Sequence, residues 1–272
     1  MSHTGDVLAA PEGFHAPGPA EFFLPDFTGR HWDESGYQVL LTKASLLLVL
    51  GAVLAYLFLA MTSRRSAVVP SKSQYLGEQA YNFVRNGVAQ DIIGSKHFRR
   101  YVPLLVSLFF FIVINNLFGI VPLLAFSPFS RASFAYGLAL LVWLIYNGVG
   151  VMNKGFFGYL KHTTVPSGVP AWILPLLIPL EFLSNILIRP VTLSLRLFAN
   201  MFAGHLLLIL FATGGLYLIT EYGGAIGFVS GAAAWILAVA ISFLEMLVQF
   251  LQAYVFVLLN AMYIQGALAD EH

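Results

Sequence analysis

Residues 171–213 and 225–269 are two stretches of more than 40 residues each in which apolar side chains run almost without a break. Nothing else in the chain limits its fold so tightly. A transmembrane helix needs about 20 mostly apolar residues. At about 1.5 Å of rise per residue, each stretch as a straight helix would measure about 60 Å, twice the hydrocarbon thickness of a bilayer. Each is therefore either two short spans or one long helix that tilts heavily. The second stretch has no proline, and its glycines fall at its start (Gly227, Gly231) and its end (Gly266). That favours one continuous, steeply tilted helix. The first carries Pro175, Pro179 and Pro190, where kinks are expected. Tyr222-Gly223-Gly224 makes a turn between them, giving two long antiparallel partners.

Three shorter apolar runs precede this hairpin. Residues 44–63 are the first uncharged run of spanning length. Residues 101–130 hold a second span and a Pro/Ser turn near 127–130, and 132–153 a third. Residues 64–100 are amphipathic and basic, and 75–93 reads as a helix lying at the membrane surface or in the cytoplasm. The expected architecture is an all-α integral membrane protein with about five transmembrane helices plus this surface amphipathic helix. Only 10% of the 272 residues are charged and the mean hydropathy is +0.80, against about 25% charged in soluble domains.

Charge sets the expected orientation. Residues 63–100 hold seven Lys/Arg against two acids, and the 154–161 loop holds Lys154 and Lys161. Both should be cytoplasmic by the positive-inside rule. The turns around Arg131 and Glu221 then face the other side. Residues 1–38, with Asp6, Glu12, Glu21, Asp26, Asp33 and Glu34 against Arg30 alone, lack a signal peptide's basic start and short apolar core. They read as a retained, extracytoplasmic polar tail ahead of one membrane-embedded domain, 39–272, whose C-terminus is cytoplasmic. A net charge of +1 excludes nucleic-acid binding through a bulk basic field.

Five charged or imidazole groups interrupt the two long helices: Glu181, Arg189, Arg196, His205 and Glu245. A lone Arg at the bilayer centre costs from roughly 2.5 to above 10 kcal/mol, depending on the scale used. It cannot escape by losing its proton. Arg189 precedes Pro190 and can reach toward the headgroups, which suits a structural role. Arg196 lies seven residues, about 10 Å, further in and has no such exit. Glu181 is fifteen residues before it, over ~20 Å along a helix, and His205 is nine residues on, half a turn around. A carboxylate from another protein is the simpler partner for Arg196.

On the last helix Ser242, Glu245, Gln249 and Gln252 recur at steps of three, four and three, and Tyr263 falls close to the same line. Gln249 alone fits interhelical glue as well as a channel role. Glu245 is harder to dismiss, because intramembrane carboxyls usually mark ion or proton routes. His205 is its natural relay mate, since imidazole titrates near neutrality. With no cysteine in the chain, disulfides and thiol chemistry are excluded. One His and two Glu do not make a zinc or iron ligand set. The chain has no Gly-rich phosphate loop and no nucleophile–base arrangement, so no cofactor, metal or catalytic group is expected.

The run Arg189-Pro190-Val191-Thr192-Leu193-Ser194-Leu195-Arg196-Leu197-Phe198-Ala199-Asn200-Met201-Phe202-Ala203-Gly204-His205 resembles the signature of subunit a of the F-type ATP synthases. The likeness extends to 251–259 on the last helix and to Asn115-Asn116-Leu117-Phe118-Gly119-Ile120-Val121-Pro122, and covers roughly 75–272. The resemblance implies a non-catalytic stator in a bacterial cell membrane, beside a rotating ring of c-subunits and attached to b-type peripheral stalk subunits. It implies that Arg196 faces the ring carboxylates and that Asn200, His205, Glu245 and Gln252 line two offset aqueous half-channels. Gln249, Glu181, Ser242 and Tyr263 complete the expected proton-translocation set. Many relatives carry Gly at the Ala199 position. Many bacterial ones have an acid at the His205 position and a histidine at that of Glu245, so the pair looks exchanged here, as in the mitochondrial type. A secondary transporter or channel with an Arg-based substrate site is the competing reading, but the internal repeat expected of one is not found.

Overall fold

The computed structural model describes residues 14, 16–18, 42–63, 72–121, 124, 126–165, 170, 172–222 and 224–269. Most of the expected N-terminal tail therefore lies outside the described residues. Eight α-helices organise the rest: α1 (Lys43–Ser63), α2 (Lys72–Val84), α3 (Phe98–Leu117), α4 (Ala132–Lys154), α5 (Phe156–Thr164), α6 (Leu174–Phe182), α7 (Arg189–Tyr217) and α8 (Gly224–Leu268). Among the described residues there is no strand, as lipid demands of an open chain whose backbone polar groups must be satisfied within each segment. Among the described residues five helices are long and apolar enough to span a membrane, α6 and α7 counting as one continuous unit, Leu174–Glu221.

The two long stretches thus resolve as two long helices. Where prolines predict kinks, the first carries a wide π-helical stretch, Leu183–Ile188, between α6 and α7. Pro190 has no N–H to offer the carbonyl four residues back, and that carbonyl, on Ile186, accepts instead from the Trp143 indole of α4 at 2.8 Å. A second π-helical turn, Leu218–Tyr222, leads to Gly224, whose φ of +69° suits glycine and starts α8. From there α8 runs unbroken for 45 residues.

α7 and α8 share the most extensive contact in the fold. Their register follows from close approaches. A Cβ on Gly231 would lie 2.7 Å from the Gly215 carbonyl oxygen, so near the turn the two backbones almost touch. Gly204 faces Glu245. Further along, the Arg189 guanidinium lies 5.1 Å from the centre of the Tyr263 ring. At that same end the Lys154 ammonium donates to the Ala269 carbonyl, closing the last turn of α8.

α3 packs on α8, and α4 packs on both α7 and α8. α3 is the most deeply buried span, with Leu105 and Ile112 fully enclosed. Thr42 and Ser45 cap the start of α1 through reciprocal backbone-to-side-chain bonds of 3.0 and 3.3 Å. The Arg131 guanidinium at the start of α4 reaches the Thr42 hydroxyl at 3.5 Å, so α1 and α4 begin at one end of the molecule. Phe14 packs on Tyr217 with ring centres 5.5 Å apart, at the end of α7 that leads into the turn.

Two elements depart from the expected outline. The 154–161 segment is not a loop: Gly155, at φ +73°, breaks α4, and α5 follows at once. The Tyr159 hydroxyl of α5 donates to Asn147 at 3.0 Å, and burial pushes its phenol above the ordinary value. The expected amphipathic helix does form, as α2 and a π-helical continuation, Arg85–Ile93. It is packed into the core, with Val84, Val88 and Ala89 fully buried and Phe83 against Phe109, Phe250 and Tyr254.

Candidate functional site

The polar side chains of the hairpin divide between two surfaces. Arg196 points outward. It is exposed, as are Thr192, Leu195, Ala199, Ala203 and Leu207 of the same helix, which recur at the three- and four-residue steps of one helical face. Among the described residues no hydrogen bond or ion pair reaches its guanidinium. Ala199 and Ala203 beside it are small, so this face is low enough for another helix to approach closely. Leu193, Ser194 and Leu197, on the opposite side of α7, are buried where α7 packs against α4 and α8.

The carboxyl of Glu245 lies inside. It is 7% exposed, and its Oε1 accepts from Gln249 Nε2 at 3.2 Å one turn along α8. Gly204 makes the room: a Cβ there would sit 2.9 Å from that oxygen. His205, the next residue, is half-buried and meets Phe126 edge-on at 6.5 Å. The middle part of α8 therefore turns its polar side chains inward. Glu245, Gln249 and Gln252 are all buried on one face, and His205 neighbours the glycine against which the carboxyl rests.

α3 adds a group that the candidate set does not contain. Asn116 is fully buried and its side-chain amide donates to the Gln249 carbonyl at 3.3 Å. A Cβ on Gly119 would lie 3.5 Å from Ser127 Cβ and 3.6 Å from Gln249 Nε2, so Ser127 and the Gln249 amide converge on the gap this glycine leaves. Asn116 Oδ1, Ser127 Oγ, Ser130 Oγ, Glu245 Oε2 and Gln249 Oε1 are buried without a hydrogen-bond partner among the described residues. Polar atoms enclosed in this way are normally satisfied by water. The consecutive amides Asn115-Asn116 inside an apolar span were the sequence signal for this group.

The remaining candidates sit apart. Asn200, half-buried on α7 one turn from Arg196, has its amide nitrogen buried and unpartnered. Ser242 turns its hydroxyl back to the Val239 carbonyl at 2.7 Å and joins none of these groups. Glu181 accepts from Asn185 at 2.8 Å, and Asn185 also donates to the Thr163 carbonyl, tying α6 to α5. Tyr263 lies beneath Arg189 and 5.2 Å from the Tyr146 ring, so Arg189 has an aromatic partner inside the protein and contributes to packing. Asn260, one turn before Tyr263, is fully buried with both amide atoms unpartnered. Extending the α8 stripe by eleven residues from Gln249 would have found it. Among the described residues no cluster of His, Asp or Glu is grouped to hold a metal ion.

A family model described as ATP synthase A chain matches residues 44–265. The chain is 56% identical over 278 residues to a protein of Nocardioides sp. named ATP synthase subunit a, the match covering all of both chains. It is 45% identical over 262 residues to a protein of that name from Pseudarthrobacter chlorophenolicus, covering 95% of each. With the Streptomyces lividans protein of the same name it shares 41% over 260 residues, 96% of this chain and 90% of the relative.

Proposed function

The chain belongs to the ATP synthase A chain family, and we propose that it is the membrane stator through which protons drive a ring of c-subunits. The observation that carries this reading is the outward-facing Arg196, a permanent charge on an apolar spanning helix with no partner among the described residues. An Arg kept at such cost has a use for a carboxylate supplied from outside.

The proposed path begins on the side where α7 and α8 turn. Protons reach His205 and Glu245 through the polar group formed by Asn116, Ser127 and Gln249, and pass to a ring carboxylate. Neutralised, that carboxyl can turn into lipid without the cost of an exposed charge. After nearly a full revolution it meets Arg196, whose guanidinium stabilises the carboxylate and so favours proton release to the inner half-channel. Asn200 and Gln252 lie along the exchange region. The same fixed cation repels protons that would cross directly from one half-channel to the other. Each charge moved through 100 mV supplies about 2.3 kcal/mol.

ATP chemistry is assigned to other subunits and anchoring to b-type stalk subunits. The chain is taken to sit in a bacterial cell membrane, N-terminal tail outside and C-terminus in the cytoplasm. The contact of Phe14 with Tyr217 supports a tail on the same side as the α7–α8 turn. Arg196→Ala should abolish coupled ATP synthesis in membrane vesicles while the complex still assembles. Near-normal synthesis would sink the assignment.

A further inference from the structure

The polar stripe of α8 is broken once. After Glu245, Gln249 and Gln252 the same face carries Phe256, and then Asn260 and Tyr263. Phe256 stands four residues after Gln252 and four before Asn260, which on a helix places it directly between them. It is fully buried, as are its neighbours Ala253 and Val257. On either side of it the polar atoms are enclosed and unpartnered among the described residues. Gln249 Oε1 and Gln252 Nε2 lie toward the turn; Asn260 Oδ1 and Nδ2 and the Tyr146 hydroxyl lie toward the other end. Both segments call for water. About 12 Å of helix separates Gln252 from Asn260.

The facing helix fills the same level. Between the pairing of Gly204 with Glu245 and that of Arg189 with Tyr263, the antiparallel register brings Leu193 and Leu197 of α7 opposite Phe256. These two leucines are buried in one apolar cluster with Phe256. An apolar constriction between two wet segments stops conduction by excluding water.

We propose that Phe256, with Leu193 and Leu197, is an ion seal within the subunit. It keeps the two polar segments of α8 from joining into one water-filled path that would carry protons past Arg196 and the ring. The proposal rests on the stator reading and adds to it a second barrier: Arg196 guards the outer face of α7, and the seal guards the inner one. A polar residue at position 256 would complete the stripe and short-circuit the motor.

The test uses membrane vesicles containing the complete complex, with the ring carboxylates blocked by a carbodiimide so that the rotary route is closed. An imposed pH gradient is followed with a pH-sensitive dye. Phe256→Ser and Leu193→Ser should each raise the rate of decay several-fold above that of the unaltered complex, while Phe256→Leu, which keeps the apolar bulk, stays tight. Immunoblotting of the subunit identifies which serine variant assembles in normal amount. Tight vesicles from an assembled serine variant overturn the seal. Failure of the stator reading shows differently, as ATP synthesis retained by Arg196→Ala.

Discussion

Arg196 and Glu245 are both ionisable groups in an apolar hairpin, yet their surroundings are opposite. The guanidinium faces away from its own chain, and the carboxyl is enclosed with a glutamine for company. Size explains part of the second arrangement. Only glycine at position 204 leaves space for the carboxyl between two packed helices. Glu245→Gln keeps that shape and the acceptor for Gln249 but cannot take up and release a proton. It should slow potential-driven proton flux by an order of magnitude or more with assembly intact. Flux equal to that of the unaltered protein would remove Glu245 from the path.

At the scale of elements, the helical period makes much of this legible beforehand. The three-and-four spacing of Glu245, Gln249 and Gln252 needs only the turn of one helix, and their common buried face is what that turn dictates. The outward position of Arg196 followed from counting steps to Glu181 and His205. Asn116, Ser127 and Tyr146 were not legible in that way, because they join the site through the approach of α3 and α4, which no local pattern encodes. α5 is nine residues long, too short for its period to stand out from a loop. The burial of α2 likewise depends on Phe83 finding α8. The contact of Gly215 with Gly231 is another product of tertiary approach, and it is testable. Gly231→Val would drive a branched side chain into the Gly215 carbonyl, and overpacking of this kind costs about 1–3 kcal/mol. The thermal unfolding midpoint of the purified complex should fall by roughly 5 °C. An unchanged midpoint would mean that the helices do not close there.

For the whole molecule, the arrangement leaves one flank of α7 exposed and commits the other to its own core. The chain has no cysteine, so single introduced thiols report on this division without background. Ala199→Cys and Ala203→Cys, on the exposed flank, should cross-link to cysteines placed on the proposed ring next to its carboxylates. Met201→Cys, at a position 1% exposed, should not. The reverse pattern would turn α7 around and with it the whole assignment. The division also has a mechanical side. Paired glycines grip α8 near the turn, and at the far end the Lys154 ammonium holds the carbonyl of Ala269, the residue that follows its last turn. In engineering language α8 is a beam clamped at both supports. Under the proposed stator reading a rotor passing along the hairpin would drag it sideways, and a beam free at one end would swing with each step and absorb the stroke. Fixed at both ends, it would hand the reaction force to α7 and α4, so that the work of each step would turn the rotor instead of bending its bearing.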